Sequence, residues 1–183
     1  GWYRNYFEVP NYKAGQKVLI LFEGAMSQPK VYVNGRKVGE WNYGYNYFYF
    51  DITNEIRADK KNTLAVQLSN LGQSSRWYPG AGLYRKVSLI VKNQENIDQW
   101  GTYITTPYIS AGLVKVNIKT KTSTDKAQLQ TMIVNAKGDT VARDRSGSSF
   151  GGEFEQNISV PNPQLCSPEM PYLYKAITLL YVA

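Results

Sequence analysis

The side chains best suited to contact a ligand lie in one short segment, SSRWYPGAGLYRKV, at positions 74–87. Arg76 carries a planar guanidinium group with several hydrogen-bond donors, and Trp77 and Tyr78 follow it with large flat side chains. Pro79 and the glycines after it are typical of a tight turn. The segment is therefore either an aromatic turn or a surface that contacts a ligand, and the rest of the chain must decide between the two.

Several classes of chemistry are excluded by residues that the chain lacks. The sequence has no histidine, so the usual His/Cys zinc sites, the Ser-His-Asp triad and the commonest general base at neutral pH are all missing. Its one cysteine, Cys166, cannot form an internal disulfide. Asp51 and Asn54 could give oxygen ligands to a calcium ion, but Asp51 more simply caps the turn that follows it. We expect neither a metal nor a cofactor.

The formal net charge of +7 belongs to the first half of the chain. Up to Asn93 there are 13 of the 21 basic residues and 6 of the 14 acidic ones, whereas the second half is balanced. The basic residues are scattered rather than clustered, and nucleic-acid binding needs a clustered patch. No apolar run approaches the roughly 18 residues that a transmembrane helix requires. We therefore expect no nucleic-acid partner and no membrane span.

Short strands separated by turn residues dominate the chain, and no segment has a helical period over three turns. The abundance of tyrosine, valine and threonine also favours sheet. The clearest local signal is Asn34-Gly35, the favoured pair for a two-residue type I′ hairpin turn, which lies between two β-rich runs. The predicted strands and hairpins occupy residues 17–25, 30–41, 47–56, 62–70, 86–92, 113–122, 127–143, 154–163 and 174–183.

This pattern predicts an all-β protein with two β-sandwich domains, at residues 1–93 and 94–183. The segment QENIDQWGTY, residues 94–103, is polar at first and then anchored by Trp100, so we interpret it as the junction. An immunoglobulin-like sandwich usually has about seven strands, and about five are visible after the junction. We therefore expect the second domain to be incomplete, with an unpaired edge strand.

Four segments of the first domain carry a family resemblance through their order: GWYRNYFEVP, VYVNGRKVGEWNYGYNYFYFDIT, NTLAVQLSN and SSRWYPGAGLYRKVSLIV. Together they resemble the N-terminal sugar-binding domain of glycoside hydrolase family 2, and its β-galactosidase branch looks closest. In the second domain, WGTYITTPYIS and NPQLCSPEMPYLYK resemble the first and late strands of that family's immunoglobulin-like domain. The resemblance covers essentially the whole chain.

The resemblance implies a jelly-roll, galactose-binding-like β-sandwich followed by an immunoglobulin-like β-sandwich. Catalysis in the family needs two glutamates on a third domain, a (β/α)₈ barrel, which together perform a retaining double displacement. Glu8 and Glu55 have no partner carboxylate nearby in the sequence, so we expect no hydrolysis by these residues alone. The implied partners are a β-galactoside or related glycoside and a barrel of the same chain. Galactosidase, glucuronidase and mannosidase relatives share these two domains, so the sugar is left open.

The resemblance also assigns a role to Arg76, Trp77 and Tyr78. The family's loop before the last strand of the first domain reaches the mouth of the barrel, so we expect these three residues to bind substrate. Arg76 would donate hydrogen bonds to sugar hydroxyls, and Trp77 or Tyr78 would stack on a sugar face. The alternative is that Trp77 packs beneath the turn while Arg76 lies in solvent.

The residues after this tip have a simpler interpretation. Pro79, Gly80 and Gly82 fit a tight turn, because glycine tolerates a positive φ and a close backbone approach. Arg85 opens the last strand of the first domain, and we predict that it pairs with a carboxylate, with Asp51 as the candidate.

Two further features have competing interpretations. Trp41, Tyr43, Tyr45 and Tyr47 could be sugar platforms of a stand-alone carbohydrate-binding module, but we favour a packing role in the sandwich core and against the barrel. Cys166 stands where the family motif usually has tryptophan, and we predict a packing position there. A ligand-free structural pair of sandwiches is the third functional class. Related enzymes of polysaccharide-degrading bacteria are often exported, so we expect a periplasmic or secreted protein, with the cytoplasm as the alternative.

Overall fold

The computed structural model describes residues 1–72, 80–147 and 151–182 of the chain. The described residues form β-strands joined by turns, and no helix occurs among them. In particular, this part of the chain holds no helix with the length and apolar character needed to cross a membrane. The fold separates into two compact units, Gly1–Gln94 and Glu95–Ala183.

The first unit is built from two antiparallel sheets. Its strands are β1 (Trp2–Phe7), β2 (Lys17–Phe22), β3 (Lys30–Val33), β4 (Arg36–Glu40), β5 (Phe48–Asp51), β6 (Asn62–Gln67) and β7 (Val87–Lys92). One sheet has the order β1-β6-β3-β4, and the other has the order β5-β2-β7. This architecture confirms the predicted all-β fold. The strand β1 was not predicted, because as an exposed edge strand it shows no alternation between buried and exposed residues.

The hairpin between β3 and β4 confirms the predicted turn. Asn34 and Gly35 both have positive φ, at 50° and 87°, which a type I′ turn requires at its two central residues. Asn34 also donates from its side-chain amide to the carbonyl of Glu55 at 2.7 Å and to the side chain of Asn62 at 2.8 Å. The turn is therefore tied to the chain segment that leads into β6.

The core of the first unit lies between its two sheets. Val18, Leu19 and Ile20 are consecutive and all buried, as expected for a short apolar strand covered on both faces. Phe22 and Phe48 stack with their ring centroids 4.9 Å apart and are almost completely buried. Burial of one such side chain contributes about 1.5–3 kcal/mol to the free energy of unfolding. The stacked pair therefore stabilises the packing of β2 against β5.

The second unit also contains two antiparallel sheets. Its strands are β8 (Ile97–Ile109), β9 (Leu113–Thr122), β10 (Ala127–Val134), β11 (Thr140–Gly147), β12 (Glu153–Pro161) and β13 (Lys175–Val182). Their orders are β12-β9-β8 and β11-β10-β13. Buried and exposed residues alternate along β9 and β12, which confirms the strands predicted from that alternation. Residues 97–103 of the predicted junction already belong to β8, whose register shifts hide the two-residue period.

A buried polar contact crosses the core of the second unit. Gln156 on β12 and Thr131 on β10 are 1% and 0% exposed, and the Thr131 hydroxyl donates to Gln156 Oε1 at 2.5 Å. The amide of Gln156 donates in turn to Asp144 on β11, to its carbonyl and to its carboxylate, each at 3.3 Å. Because a buried polar group must find partners, this contact fixes how the two sheets face each other.

Candidate functional site

The three predicted substrate-binding residues, Arg76, Trp77 and Tyr78, lie outside the described residues, as does Pro79. Their role therefore stays a prediction. The structure does describe the chain on either side of them, up to Gly72 and again from Gly80.

Both flanks of this segment are fixed to two adjacent residues, Met26 and Ser27. On the entry side, the backbone N–H of Ser69 donates to the carbonyl of Ser27 at 2.9 Å, and the Ser27 hydroxyl donates to the carbonyl of Ser69 at 2.7 Å. On the exit side, Met26 and Gly82 exchange two backbone hydrogen bonds, of 3.0 and 2.9 Å. Because both anchors meet at neighbouring residues, Ser69 and Gly82 are held at the same place on the sandwich.

Gly82 is required at the exit anchor for two reasons. Its φ is +133°, a conformation that side-chain-bearing residues rarely adopt. A β-carbon added there would also lie 2.8 Å from the hydroxyl oxygen of Tyr3. The expected positive φ is thus confirmed at Gly82, although this residue lies in a β-bridge rather than in a turn, whereas Gly80 has no positive φ and faces open space.

The aromatic loop, residues 41–47, is exposed rather than packed into the core. Trp41, Tyr43, Tyr45 and Tyr47 keep 37–57% of their surface accessible, so the predicted packing in the sandwich core is wrong. The inward position is taken by Phe48, on which Trp41 stacks at 5.7 Å between centroids. The rings of Tyr43 and Tyr45 meet edge to face at 5.7 Å. The loop thus presents a cluster of aromatic surfaces, the geometry that stacks on the apolar face of a sugar.

Contacts through Gly44 hold the aromatic loop beside the exit anchor. The hydroxyl of Tyr84 donates to the buried carbonyl of Gly44 at 2.8 Å. A β-carbon added at Gly44 would lie 2.7 Å from both the sulfur and the methyl carbon of Met26. Since Met26 also bonds Gly82, the aromatic loop and the base of the 73–79 segment lie at one place on the first unit.

Arg85 does not pair with Asp51, so that prediction is wrong. Its guanidinium group lies over the ring of Tyr84, 5.4 Å from the centroid. The carboxylate of Asp51 accepts hydrogen bonds from the backbone N–H of Thr53 at 2.9 Å and from its hydroxyl at 2.5 Å. These bonds confirm the alternative in which Asp51 caps the turn after β5, and they leave it no role in holding Arg85.

Cys166 is exposed, so the predicted packing position is also wrong. It lies at the rim of an apolar cavity of about 260 Å³ in the second unit, beside Leu165, Tyr172 and Tyr174. The proline-rich segment thus leaves a groove at this end of the sandwich, where the sequence motif predicted a filled position.

The described residues at the Met26 and Ser27 anchors and in the aromatic loop provide hydrogen bonding and stacking but no acid–base pair. No group of three or more His, Cys, Asp or Glu side chains converges among the residues that the structure describes. Among the described residues of this unit, the shifted pKa values belong to one exposed ion pair, in which the hydrogen bond between the partners raises the pKa of Lys37 and lowers that of Glu40.

The chain is similar to known glycosidases over both units. The family model for the glycosyl hydrolases family 2 sugar binding domain matches residues 1–93, and a second model, for glycosyl hydrolases family 2, matches residues 96–183. Beta-galactosidase BoGH2A of Bacteroides ovatus is 35% identical over 97% of this chain, which corresponds to 22% of the relative.

Solved structures give the same result. A glycosyl hydrolase family 2 member from Bacteroides cellulosilyticus has a TM-score of 0.90 and 33% identity, over 98% of this chain and 24% of its own. A beta-glucuronidase from Bacteroides uniformis has a TM-score of 0.86 and 26% identity, again over 98% of this chain and 24% of its own. The chain therefore spans about a quarter or less of these relatives.

Proposed function

Since this chain belongs to glycoside hydrolase family 2, we propose that it forms the non-catalytic N-terminal part of a longer retaining glycosidase. The observation that carries the proposal is the pair of family matches, which fall on the two units in the order expected for that architecture. In this proposal the two sandwiches brace a catalytic barrel that follows them, and the first unit adds one wall to its sugar pocket. The two glutamates that act on the glycosidic bond belong to the barrel.

The proposed substrate is a terminal β-galactoside. The relative BoGH2A is named a beta-galactosidase and is 35% identical to this chain, against 32% for a putative beta-glucuronidase of Formosa agariphila. A β-glucuronide is the second candidate, and Arg76 favours it, because an arginine fork binds a carboxylate with two parallel hydrogen bonds.

The proposed substrate contacts are Arg76, Trp77 and Tyr78. Their segment is supported at both ends by the Met26–Ser27 anchors, so its tip would project from a fixed base. A preorganised base matters because a misplaced contact loses much of its effect on a reaction rate. Arg76 would donate to the terminal sugar while the two aromatic residues shape the pocket around it.

Turnover by the full-length protein that contains this chain tests the proposal. We expect it to hydrolyse an aryl β-galactoside faster than the matching aryl β-glucuronide, with retention of anomeric configuration. Residues 1–183 alone should hydrolyse neither substrate. Faster turnover of the glucuronide would reject the galactoside assignment, and turnover by the isolated chain would reject the non-catalytic role.

The exposed aromatic loop favours a second candidate, a stand-alone carbohydrate-binding module. Such a module would use the rings of Trp41, Tyr43, Tyr45 and Tyr47 as its sugar platform. Titration of the isolated chain with galactose separates the two candidates. Millimolar or tighter binding that is lost in Trp41→Ala supports the module, whereas no binding is expected if the pocket needs the barrel.

A further inference from the structure

A second surface with ligand-binding chemistry lies on the outer face of the sheet β12-β9-β8, within residues 100–155. A depression of about 460 Å³ opens there. Its lining includes two aromatic residues, two lysines and two glutamates: Trp100, Tyr103, Lys119, Lys121, Glu153 and Glu155. None of these residues belongs to the predicted substrate contacts of the first unit.

A bulge in β8 places Trp100 at this depression. The pairing register between β8 and β9 shifts between Ile97 and Thr102, and Trp100 within the shift has a φ of +56°. A positive φ is unfavourable for a bulky residue, and such conformations concentrate at functional positions. Gly101 allows the bulge, because a β-carbon there would lie 2.9 Å from the carbonyl oxygen of Lys121. In this position Trp100 is 57% exposed.

Tyr103 provides a second aromatic surface and stands at the end of a cross-strand row. It pairs in register with Lys119 on β9, which pairs with Glu155 on β12. Tyr103 is 66% exposed. Aromatic rings at one edge and hydrogen-bonding groups beside them are the two elements that sugar recognition needs.

The charges on this face are matched rather than concentrated. Lys121 lies 2.8 Å from Glu153, and Lys119 lies 4.0 Å from Glu155. The hydrogen bond between the first pair raises the pKa of Lys121 and lowers that of Glu153, so both are ionised at neutral pH. Two lysines therefore face two glutamates, and Asp98 also acts on Lys121, so the surface has no excess of positive charge that would attract an acidic polysaccharide.

The polar face continues along the sheet through amide groups. Asn117 on β9 donates to Glu155 at 2.7 Å and to the side chain of Asn157 at 2.9 Å. Its register partner is Thr105 on β8, the strand that also carries Trp100 and Tyr103. The polar residues therefore form a row across all three strands. Planar amides and carboxylates in fixed rows match the paired hydroxyl groups of a neutral sugar chain.

From this arrangement we propose that the β12-β9-β8 face is a binding surface for a neutral oligosaccharide chain. The rings of Trp100 and Tyr103 stack on pyranose faces, while Lys119, Glu153 and Glu155 exchange hydrogen bonds with hydroxyl groups. The charge match favours a neutral ligand over an acidic polysaccharide. The surface would hold a polymeric substrate near the enzyme without contacting the bond that is cleaved.

Affinity electrophoresis of the full-length protein tests this proposal, with native gels that contain a neutral β-galactan or polygalacturonate. We expect retardation in the β-galactan gel alone. Tyr103→Ala should weaken that association roughly five- to tenfold, as expected for the loss of one stacking ring. Tyr108→Ala is the matched control, because Tyr108 is an exposed tyrosine of the same strand that does not line the depression. Its retardation should equal that of the wild type.

Three outcomes would overturn the proposal: no retardation by the neutral polymer, stronger retardation by polygalacturonate, or an equal effect of the two tyrosine substitutions. Glu155→Gln gives a second variant that preserves side-chain shape, and it should also weaken retardation. Turnover of a small aryl β-galactoside by Tyr103→Ala should match the wild type. Absence of turnover in the wild type itself would reject the proposed glycosidase function, so the two proposals fail in different measurements.

Discussion

Substitution of Asn62 by alanine should destabilise the first unit more than any change of a surface asparagine. The side chain of Asn62 is completely buried. Its amide donates to the carbonyls of Arg57 and Lys60, at 3.1 and 2.9 Å. Its oxygen accepts from the backbone N–H of Arg57 at 2.7 Å and from the side chain of Asn34 at 2.8 Å. One side chain thus joins the β3–β4 turn to the loop before β6.

The size of this destabilisation follows from the four hydrogen bonds that Asn62→Ala removes. A net intramolecular hydrogen bond contributes about 0.5–1.5 kcal/mol, so the loss of all four gives an upper range near 6 kcal/mol. Arg57 and Lys60 are on an exposed loop where water can replace part of the loss, while Asn34 keeps its bond to Glu55. We therefore expect a decrease of about 2–4 kcal/mol in the free energy of unfolding.

Urea denaturation of the purified protein, followed by tryptophan fluorescence, measures this change. Asn42→Ala is the matched control, because Asn42 is exposed and its substitution should change stability by less than about 0.5 kcal/mol. Asn62→Asp should be at least as harmful at neutral pH, since the new carboxylate would face two carbonyl oxygens. A decrease of less than about 1 kcal/mol in the free energy of unfolding of Asn62→Ala would refute the claim that Asn62 stabilises this unit by joining the turn to the loop.

Three further predictions concern single polar groups. Thr120→Val should raise the free energy of unfolding by about 1 kcal/mol in urea melts, because the Thr120 hydroxyl is buried without a hydrogen-bond partner; destabilisation would contradict this. Gln156→Leu should lower it by about 2 kcal/mol, because the hydrogen bonds of Gln156 to Thr131 and to Asp144 are both lost, and unchanged stability would show that the cross-sheet contact is dispensable. Tyr84→Phe should cost about 1 kcal/mol and speed amide exchange in residues 41–47, since the buried Gly44 carbonyl loses its donor; unaltered exchange would disprove this anchoring.

The fold could be predicted from the sequence wherever a local rule determines the structure. The Asn34-Gly35 turn and the alternating strands β9 and β12 follow from turn chemistry and from one-sided burial. The strand β1 escaped prediction, and β8 was implied only by the family resemblance of WGTYITTPYIS, because exposed edges and bulges remove the two-residue pattern. A bulge such as the one at Trp100 depends on the neighbouring strand, which a single-sequence pattern does not contain.

The candidate site was less predictable because it is assembled by tertiary contacts. The adjacent anchors at Met26 and Ser27 join residues more than forty positions apart, and no spacing in the sequence indicates them. The aromatic residues of 41–47 were expected to pack in the core and against the barrel, but Phe48 occupies the core position and leaves them exposed. An apolar ring in a sequence fits both environments, so residue type alone could not separate them.

Kinetics of Arg76→Ala in the full-length protein test the central claim, that this non-catalytic unit supplies part of the sugar pocket. We expect kcat/KM for the aryl β-galactoside to fall roughly 10- to 100-fold, which corresponds to the loss of one or two hydrogen bonds from a charged donor. The free energy of unfolding should be unchanged. Arg57→Ala, which removes another exposed arginine of the same unit, should leave kcat/KM at the wild-type value. Equal kcat/KM in Arg76→Ala and the wild type would contradict the claim and place Arg76 in solvent.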